Sequence, residues 1–201
     1  MIIPVHPSSK PFNNLDSEPG KIEKSSIIWI RQHSLNGIGY ATMLAKDYVG
    51  NNPFLFHAGD LYIPKTKYLK DMIKVHEKFN PTATIGLKKV KDPRRYGVAS
   101  FKKNNGKLEI TKVVEKPKNP LSNYVLTGVN IFEKEIFNAI KNTKPGVNNE
   151  IQLTDGIQTT IKGGGRVVGS LMNSTDPCID IGVPNTYFDA IKYSYNHVIK
   201  K

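Results

Sequence analysis

Short apolar runs of β-type alternate with longer stretches of helical spacing along most of this chain, and that alternation leaves few folds open. It is the pattern of βα units built around a sheet. The run Pro53-Phe54-Leu55-Phe56-His57-Ala58 is largely apolar at both phases of the strand period, so it suits burial on both faces, and Gly59-Asp60 ends it. Tyr68 to Phe79 follows as an amphipathic helix stopped by Asn80-Pro81, and Thr82 to Leu87 returns as a strand. Upstream, Ile27 to Arg31 reads as an apolar strand, and the stretch after Gly39, with Ala41, Met43, Leu44 and Tyr48, has helical spacing.

Beyond these units the pattern turns partly antiparallel. Gly97 to Phe101 and Leu108 to Val114 are β runs joined by Asn104-Asn105-Gly106, a strong hairpin signal because Asn and Gly accept positive φ. An apolar strand over Tyr124 to Phe132 leads to a short helix around Glu133 to Lys141 and a turn at Lys144-Pro145-Gly146. Thr154 to Lys162 is predicted helical, and Gly163-Gly164-Gly165 releases the chain into a strand over Arg166 to Leu171. The last helix is expected over Pro184 to Lys200, with Tyr187, Ile191, Tyr195 and Val198 on one face. The fold class is therefore α/β, a Rossmann-like mixed, mainly parallel sheet with flanking helices. Residues 27–201 make one domain, and residues 1–26, with Pro4, Pro7, Pro11 and Pro19 among few apolar neighbours, are expected to be extended or poorly ordered.

A chain of 201 residues with 38% hydrophobic and 23% charged positions is an ordinary globular composition, large enough to bury a core without staples. The lone Cys178 cannot form an intramolecular disulfide, and the N-terminus lacks a basic region and long apolar core, so a cytoplasmic location is expected. No apolar stretch approaches the roughly 20 residues needed to cross a bilayer, so no membrane is expected as a partner. A net charge of +12 attracts polyanions of any kind. The basic positions Lys65, Lys67, Lys70, Lys74 and Lys78 on one helix, and Lys88, Lys89, Lys91, Arg94 and Arg95 in a loop, read as solvated surface rather than a nucleic-acid patch.

Several positions in this framework suit chemistry. Asp60 follows a buried strand directly, where the carboxyl ends of strands line the ligand crevice of open α/β sheets. A carboxylate there is placed to hold Mg²⁺, or to cap a helix or turn. Asp180, inside the apolar run Cys178-Ile179-Asp180-Ile181, needs either a hydrogen-bonding partner or a metal. Glu115-Lys116-Pro117 closes a strand, where the lysine can meet a phosphate and the glutamate sugar hydroxyls, or the two can form a surface pair. Thr154 and Asp155 suit a helix start, while Gln32 and the Gly37-Ile38-Gly39 run read as a strand end before a glycine-opened helix.

Three segments, Val114-Glu115-Lys116-Pro117, Asn149-Glu150-Ile151-Gln152-Leu153-Thr154-Asp155 and Ile179-Asp180-Ile181-Gly182, in that order and at those separations, resemble the sugar-1-phosphate nucleotidylyltransferases. The resemblance runs from about Ile27 to the C-terminal helix, and implies a nucleotide-diphospho-sugar transferase fold. It also implies transfer of a nucleotidyl group from UTP or dTTP to a sugar 1-phosphate, glucose 1-phosphate first among them, with release of pyrophosphate. By resemblance Asp60 and Asp180 bind the catalytic Mg²⁺, Lys116 the sugar phosphate, and Glu115 the sugar. Tyr96, Gly97, Thr127, Gly128 and Glu150 shape the sugar pocket, and Gln32, Gly37 and Gly39 read the nucleotide base. The Ile-Gln-Leu-Thr-Asp wording is closer to uridylyltransferase and archaeal-type members than to the usual thymidylyltransferases.

Family members open with an apolar strand running into a Gly-rich, Arg-bearing loop that cradles the triphosphate, and residues 1–26 contain no such pattern. Lys10, in Ser8-Ser9-Lys10-Pro11, does not replace it. The first βα unit is therefore expected to be missing or degenerate, which would uncover the sheet and its backbone groups. That leaves as alternatives a truncated or misstarted reading frame, a noncatalytic homologue that binds nucleotide sugars or regulates, and a subunit completed by another chain; a homo-oligomer is also left open.

Overall fold

A computed structural model describes residues 2–4 and 28–199. The expected extended segment is thereby seen only as the strand at 2–4; its other residues, Lys10 among them, and Ile27 lie outside the described part. The strands are β1 (Ile2–Pro4), β2 (Phe54–His57), β3 (Leu61–Tyr62), β4 (Ala83–Lys89), β5 (Gly97–Asn104), β6 (Lys107–Glu115), β7 (Tyr124–Phe132), β8 (Val167–Leu171) and β9 (Ile179–Asp180). The helices are α1 (Ile38–Met43), α2 (Lys46–Val49), α3 (Thr66–Phe79), α4 (Glu135–Lys141), α5 (Leu153–Lys162) and α6 (Pro184–Ser194), the last running into a π-helical turn at Tyr195–Ile199.

Seven strands form one sheet in the order β1-β2-β7-β4-β8-β6-β5, and β3 pairs with β9 in a small separate ladder. The α/β class with a mixed sheet is what forms. Among the described strands β4–β8 is the parallel pair and the other pairings are antiparallel. The hairpin supplies part of that mixture: Asn105 and Gly106 both take positive φ, 47° and 74°, the tight turn that Asn-Gly permits.

Alternation along the strands divides the core into two layers. Phe54, Phe56 and Phe132 turn to one face, where Phe54 stacks on Phe137 of α4 at 5.2 Å and Ile157 of α5 closes the layer. Leu55, Val129 and Ile131 turn to the other face against Met72 and Ile73 of α3. Helices thus cover both sides of the central strands, which is why Phe54-Leu55-Phe56 is apolar at every position. α3 ends at Asn80, which takes the left-handed conformation at φ 42° ahead of Pro81. His76 ties this helix to the sheet, with Nδ1 2.9 Å from Thr84 Oγ1 and Nε2 3.1 Å from Glu133 Oε1.

One expectation is corrected. No strand forms over residues 28–31: Ile28, Trp29 and Ile30 are 58%, 91% and 41% exposed in an irregular segment. An apolar β-branched run becomes a strand only when a neighbour takes its backbone groups, and no described strand lies beside it. In the last helix Tyr187, Ile191 and Tyr195 share a face and are at least half exposed, while the small Ala190 is buried; the side chain of Val198 lies outside the described part.

Candidate active site

The small β3–β9 ladder does the first assembling. It pairs Leu61 with Asp180, so Asp60, at the end of β2, comes to stand beside Asp180 from the far end of the chain. The Ile181 N–H donates to the Asp60 carbonyl at 2.7 Å, and the Gly182 N–H donates to Asp180 Oδ1 at 2.8 Å. A Cβ placed on Gly182 would lie 3.0 Å from Asp180 Oδ1 and 3.5 Å from Asp60 Oδ2, so both carboxylates border one small space. Two hard carboxylate donors are a set that suits Mg²⁺, which completes its coordination with water and substrate phosphates. Among the described residues no third His, Cys, Asp or Glu joins them to make an all-protein cage.

The second group comes from the hairpin. Register places Val125 of β7 opposite Lys88 of β4 and also opposite Val98 of β5, while Gly97 of β5 pairs with Glu115 of β6. The end of β6 is thereby brought to the rim where β2 and β4 finish. Lys116 sits in the left-handed region at φ 41°, held by its N–H donating to the Tyr96 carbonyl at 3.0 Å. A non-glycine residue in that region is strained, and such strain collects at sites that need a side chain aimed in one direction. The Lys116 Nζ lies 3.8 Å from Glu115 Oε1, and Thr154 Oγ1 donates to the other carboxylate oxygen, Oε2, at 2.6 Å. That contact joins the start of α5 to the end of β6. Gly97 is required beneath it, because a Cβ there would meet Thr154 Oγ1 at 2.8 Å and Glu115 Oε2 at 3.1 Å.

Gly128 interrupts β7 with φ 80°, beside a register shift between Ile85 and Leu87 of β4, and its carbonyl accepts from Ala58 N–H at 2.9 Å. A bulge of this kind re-aims the neighbouring side chain. Here the neighbour is Thr127, buried on the wall of the site.

These groups surround one cavity of about 640 Å³, a size typical of small-molecule sites. Of the residues singled out in the sequence, Asp60, Asp180, Lys116, Glu115, Tyr96, Gly97, Thr127 and Gly128 line it. Gln32, Gly37, Gly39 and Glu150 do not, although Ile38 between the two glycines does. The glycine run has a reason inside the protein: a Cβ on Gly37 would stand 2.6 Å from the Ile151 carbonyl, and one on Gly39 would stand 2.7 Å from it. The Gly39 N–H donates to that carbonyl at 2.8 Å and the Ile151 N–H donates to Asn36 O at 2.9 Å, so residues 36–39 are clipped to the segment leading into α5. Gln32 Nε2 reaches Gly37 O at 3.5 Å, and Glu150 accepts from Gln152 Nε2 at 3.0 Å.

Two cations of the basic loop turn out to belong to the site. Lys88 and Arg95 line the cavity, with Lys88 Nζ donating to the Cys178 carbonyl at 3.4 Å, whereas Lys89, Lys91 and Arg94 do not line it. The period of β4 was the available signal, since it points Lys88 and Lys89 to opposite faces. Burial, opposed by Lys88, pushes the Cys178 thiol up. Burial and then the charge of Glu115 push the Asp155 carboxyl up. Lys88, Arg95 and Lys116, the carboxylates Asp60, Asp180 and Glu115, and apolar side chains thus line the same cavity.

Comparison with known proteins agrees with the fold. A family model described as nucleotidyl transferase matches residues 7–196. A UTP–glucose-1-phosphate uridylyltransferase of Staphylococcus haemolyticus is 34% identical over 140 residues, covering 67% of this chain and 48% of that protein. A low-salt glycan biosynthesis nucleotidyltransferase of Haloferax volcanii is 30% identical over 138 residues, covering 69% of this chain and 37% of that protein. The chain thus spans about half the length, or less, of these sequence relatives. Among solved structures, a UDP-glucose pyrophosphorylase complexed with UDP-glucose superposes with a TM-score of 0.79 at 28% identity, covering 87% of this chain and 68% of that one. A UTP-bound UDP-glucose pyrophosphorylase of Acinetobacter baumannii gives a TM-score of 0.72 at 27% identity, covering 86% and 61%.

Proposed function

The chain belongs to the nucleotidyl transferase family, and from that premise we propose that its cavity takes a nucleoside triphosphate, UTP or dTTP, together with a sugar 1-phosphate, glucose 1-phosphate first among them. A phosphate oxygen of the sugar phosphate attacks the α-phosphorus of the triphosphate. The new phosphoanhydride bond forms as the α–β bond breaks and pyrophosphate leaves with its electron pair. No side chain has to abstract a proton for this step, so positioning and charge neutralisation carry the rate. The observation that supports the reading is the convergence of Asp60, Asp180, Glu115 and Lys116, drawn from three distant stretches of sequence, on one cavity.

Lys116 steers the sugar phosphate from its strained backbone position, and Glu115, fixed by Thr154, accepts sugar hydroxyls. Tyr96, Gly97, Thr127 and Gly128 form the sugar wall, and Glu150 shapes it from behind through Gln152. Gln32, Gly37 and Gly39 read the base beside Ile38, which enters the cavity wall. Asp60 and Asp180 hold Mg²⁺, which when bound would neutralise charge on the phosphates and the leaving group. Among the described residues no helix is long and apolar enough to cross a membrane, and the lone Cys178 suits work in the cytoplasm.

Pyrophosphate release by the purified chain with Mg²⁺, crossing UTP and dTTP with glucose 1-phosphate and related sugar phosphates, tests the proposal. Turnover with one pair is the expected result. Binding of UDP-glucose without turnover would favour the noncatalytic homologue, and neither binding nor turnover by folded protein would overturn both.

A further inference from the structure

Three cations line the cavity, and the reaction proposed above engages one of them, Lys116. Lys88 and Arg95 form no ion pair among the described residues. The carboxylate nearest Arg95 in sequence is Asp92, and Arg94 already holds it through Nε at 2.9 Å and Nη2 at 2.7 Å. Lys88 is half-buried, and its Nζ makes one long contact, 3.4 Å to the Cys178 carbonyl. Beside it on the cavity wall are Val125, its register partner, Val90, two positions on, and Ile179, next to Cys178. An ammonium among apolar groups loses water when a ligand enters, and an anion on that ligand is what offsets the loss.

Register fixes where the two cations lie. Lys88 of β4 and Val98 of β5 both pair with Val125, one on each side of β7, and Gly97, next to Val98, pairs with Glu115. Two strand spacings thus separate Lys88 from the strand of the sugar wall, about 10 Å between backbones. Arg95 enters from that strand's near end, two residues before Gly97.

We propose that the sugar carries a second anionic group, and that the substrate is a hexuronic acid 1-phosphate whose carboxylate is received by Lys88 and Arg95. The inference rests on the function proposed above and departs from glucose 1-phosphate only in the oxidation of the sixth carbon. The sugar ring fills the interval between Gly97 and Lys88, with hydroxyls on Glu115 and the carboxylate at the opposite end. A neutral hydroxymethyl group there would cover Lys88 and return no charge. A carboxylate accepts from the ammonium and also matches the guanidinium fork of Arg95. It takes no part in bond making, so the transfer itself is unchanged. One charge-assisted contact of this kind alters affinity about tenfold to a hundredfold.

Isothermal titration calorimetry of the full chain with Mg²⁺, at one ionic strength, tests this by comparing UDP- and dTDP-linked glucuronate and galacturonate with the glucose and galactose forms. The parent should bind a uronate form at least about tenfold more tightly than its neutral counterpart. Lys88→Gln should reduce that ratio about tenfold or more, and Lys88→Arg should keep it. Lys89→Gln makes the same charge change at a neighbour that does not line the cavity, and should leave the ratio alone. Pyrophosphate release from glucuronate 1-phosphate against glucose 1-phosphate should follow the same order in kcat/KM. Tight binding of a neutral sugar with the uronates no better overturns this inference and leaves the nucleotidyl transfer standing. A uronate preference that survives Lys88→Gln, or that Lys89→Gln removes equally, overturns it as well. Folded protein that binds none of these nucleotide sugars overturns the transfer reading and this inference with it.

Discussion

Thr154→Val removes a hydroxyl and almost nothing else, and the structure sets what that should cost. Thr154 is 7% exposed, and its Oγ1 donates at 2.6 Å to Glu115 Oε2, whose side chain is only 13% exposed. Valine keeps the volume, so no cavity opens. What is lost is one hydrogen bond to a largely buried carboxylate, which carries about 1.5–3 kcal/mol, and the carboxylate oxygen has little water to turn to. Taking about 2 kcal/mol, a domain of this size should melt about 4–8 °C lower. Activity should fall as well, because Glu115 is then free to swing toward Lys116 Nζ, 3.8 Å from its other oxygen, and the sugar-phosphate KM should rise while the kcat of bound substrate changes less. Thermal unfolding by circular dichroism and initial-rate pyrophosphate release measure the two effects. Thr154→Ser should restore most of both, and the double variant with Glu115→Gln should be less destabilised than the sum of the singles. An unchanged melting temperature for Thr154→Val, or a serine variant as damaged as the valine one, would show that the contact does not hold the site.

Asp180→Asn should leave the melting temperature within about 2 °C, since the residue is exposed and its Oδ1 contact with Gly182 N–H survives in an amide; metal-dependent turnover should drop below detection, and wild-type rates would remove it from the site. Gly39→Ala puts a Cβ 2.7 Å from the Ile151 backbone carbonyl, so a loss of about 1–3 kcal/mol in urea unfolding is expected even without nucleotide; a fully stable variant that loses only nucleotide binding would instead assign the glycine to the base. The Asp155 carboxyl is raised by burial and then by Glu115, so the folded state prefers it neutral. That preference stabilises the fold at low pH and is lost as pH rises through the folded pKa. Asp155→Asn should therefore gain melting temperature relative to the parent between about pH 4 and pH 7, and a difference that shrinks over that interval would reverse the sign.

Local chemistry made much of the fold legible. Asn105-Gly106 permits only a tight reversal, Asn80-Pro81 stops α3, and the apolar run Tyr124–Phe132 can hardly be anything but a central strand. The order of the Glu115-Lys116, Glu150–Asp155 and Asp180 segments likewise carried the family resemblance, and eight of the named residues meet at one cavity. Lys88 and Arg95 escaped because a basic loop looks alike whether its lysines point to water or to a ligand.

Sequence by itself determined where the chain turns, which segments are apolar on two faces, and which residue types suit phosphate and metal chemistry, since each depends on neighbours within a few positions. Only the tertiary structure decided what touches what. The β3–β9 ladder brings Asp60 beside Asp180, an encounter no local propensity encodes. Residues 28–31 have strand-like composition but lack a described neighbour to complete their backbone bonds, and they remain irregular. The periodicity of α6 announces an apolar face without saying whether the same domain covers it, and the body of the protein packs on Ala190 instead. Burial depends on all the elements at once, and for that reason the direction of a helix face is settled by packing rather than by pattern.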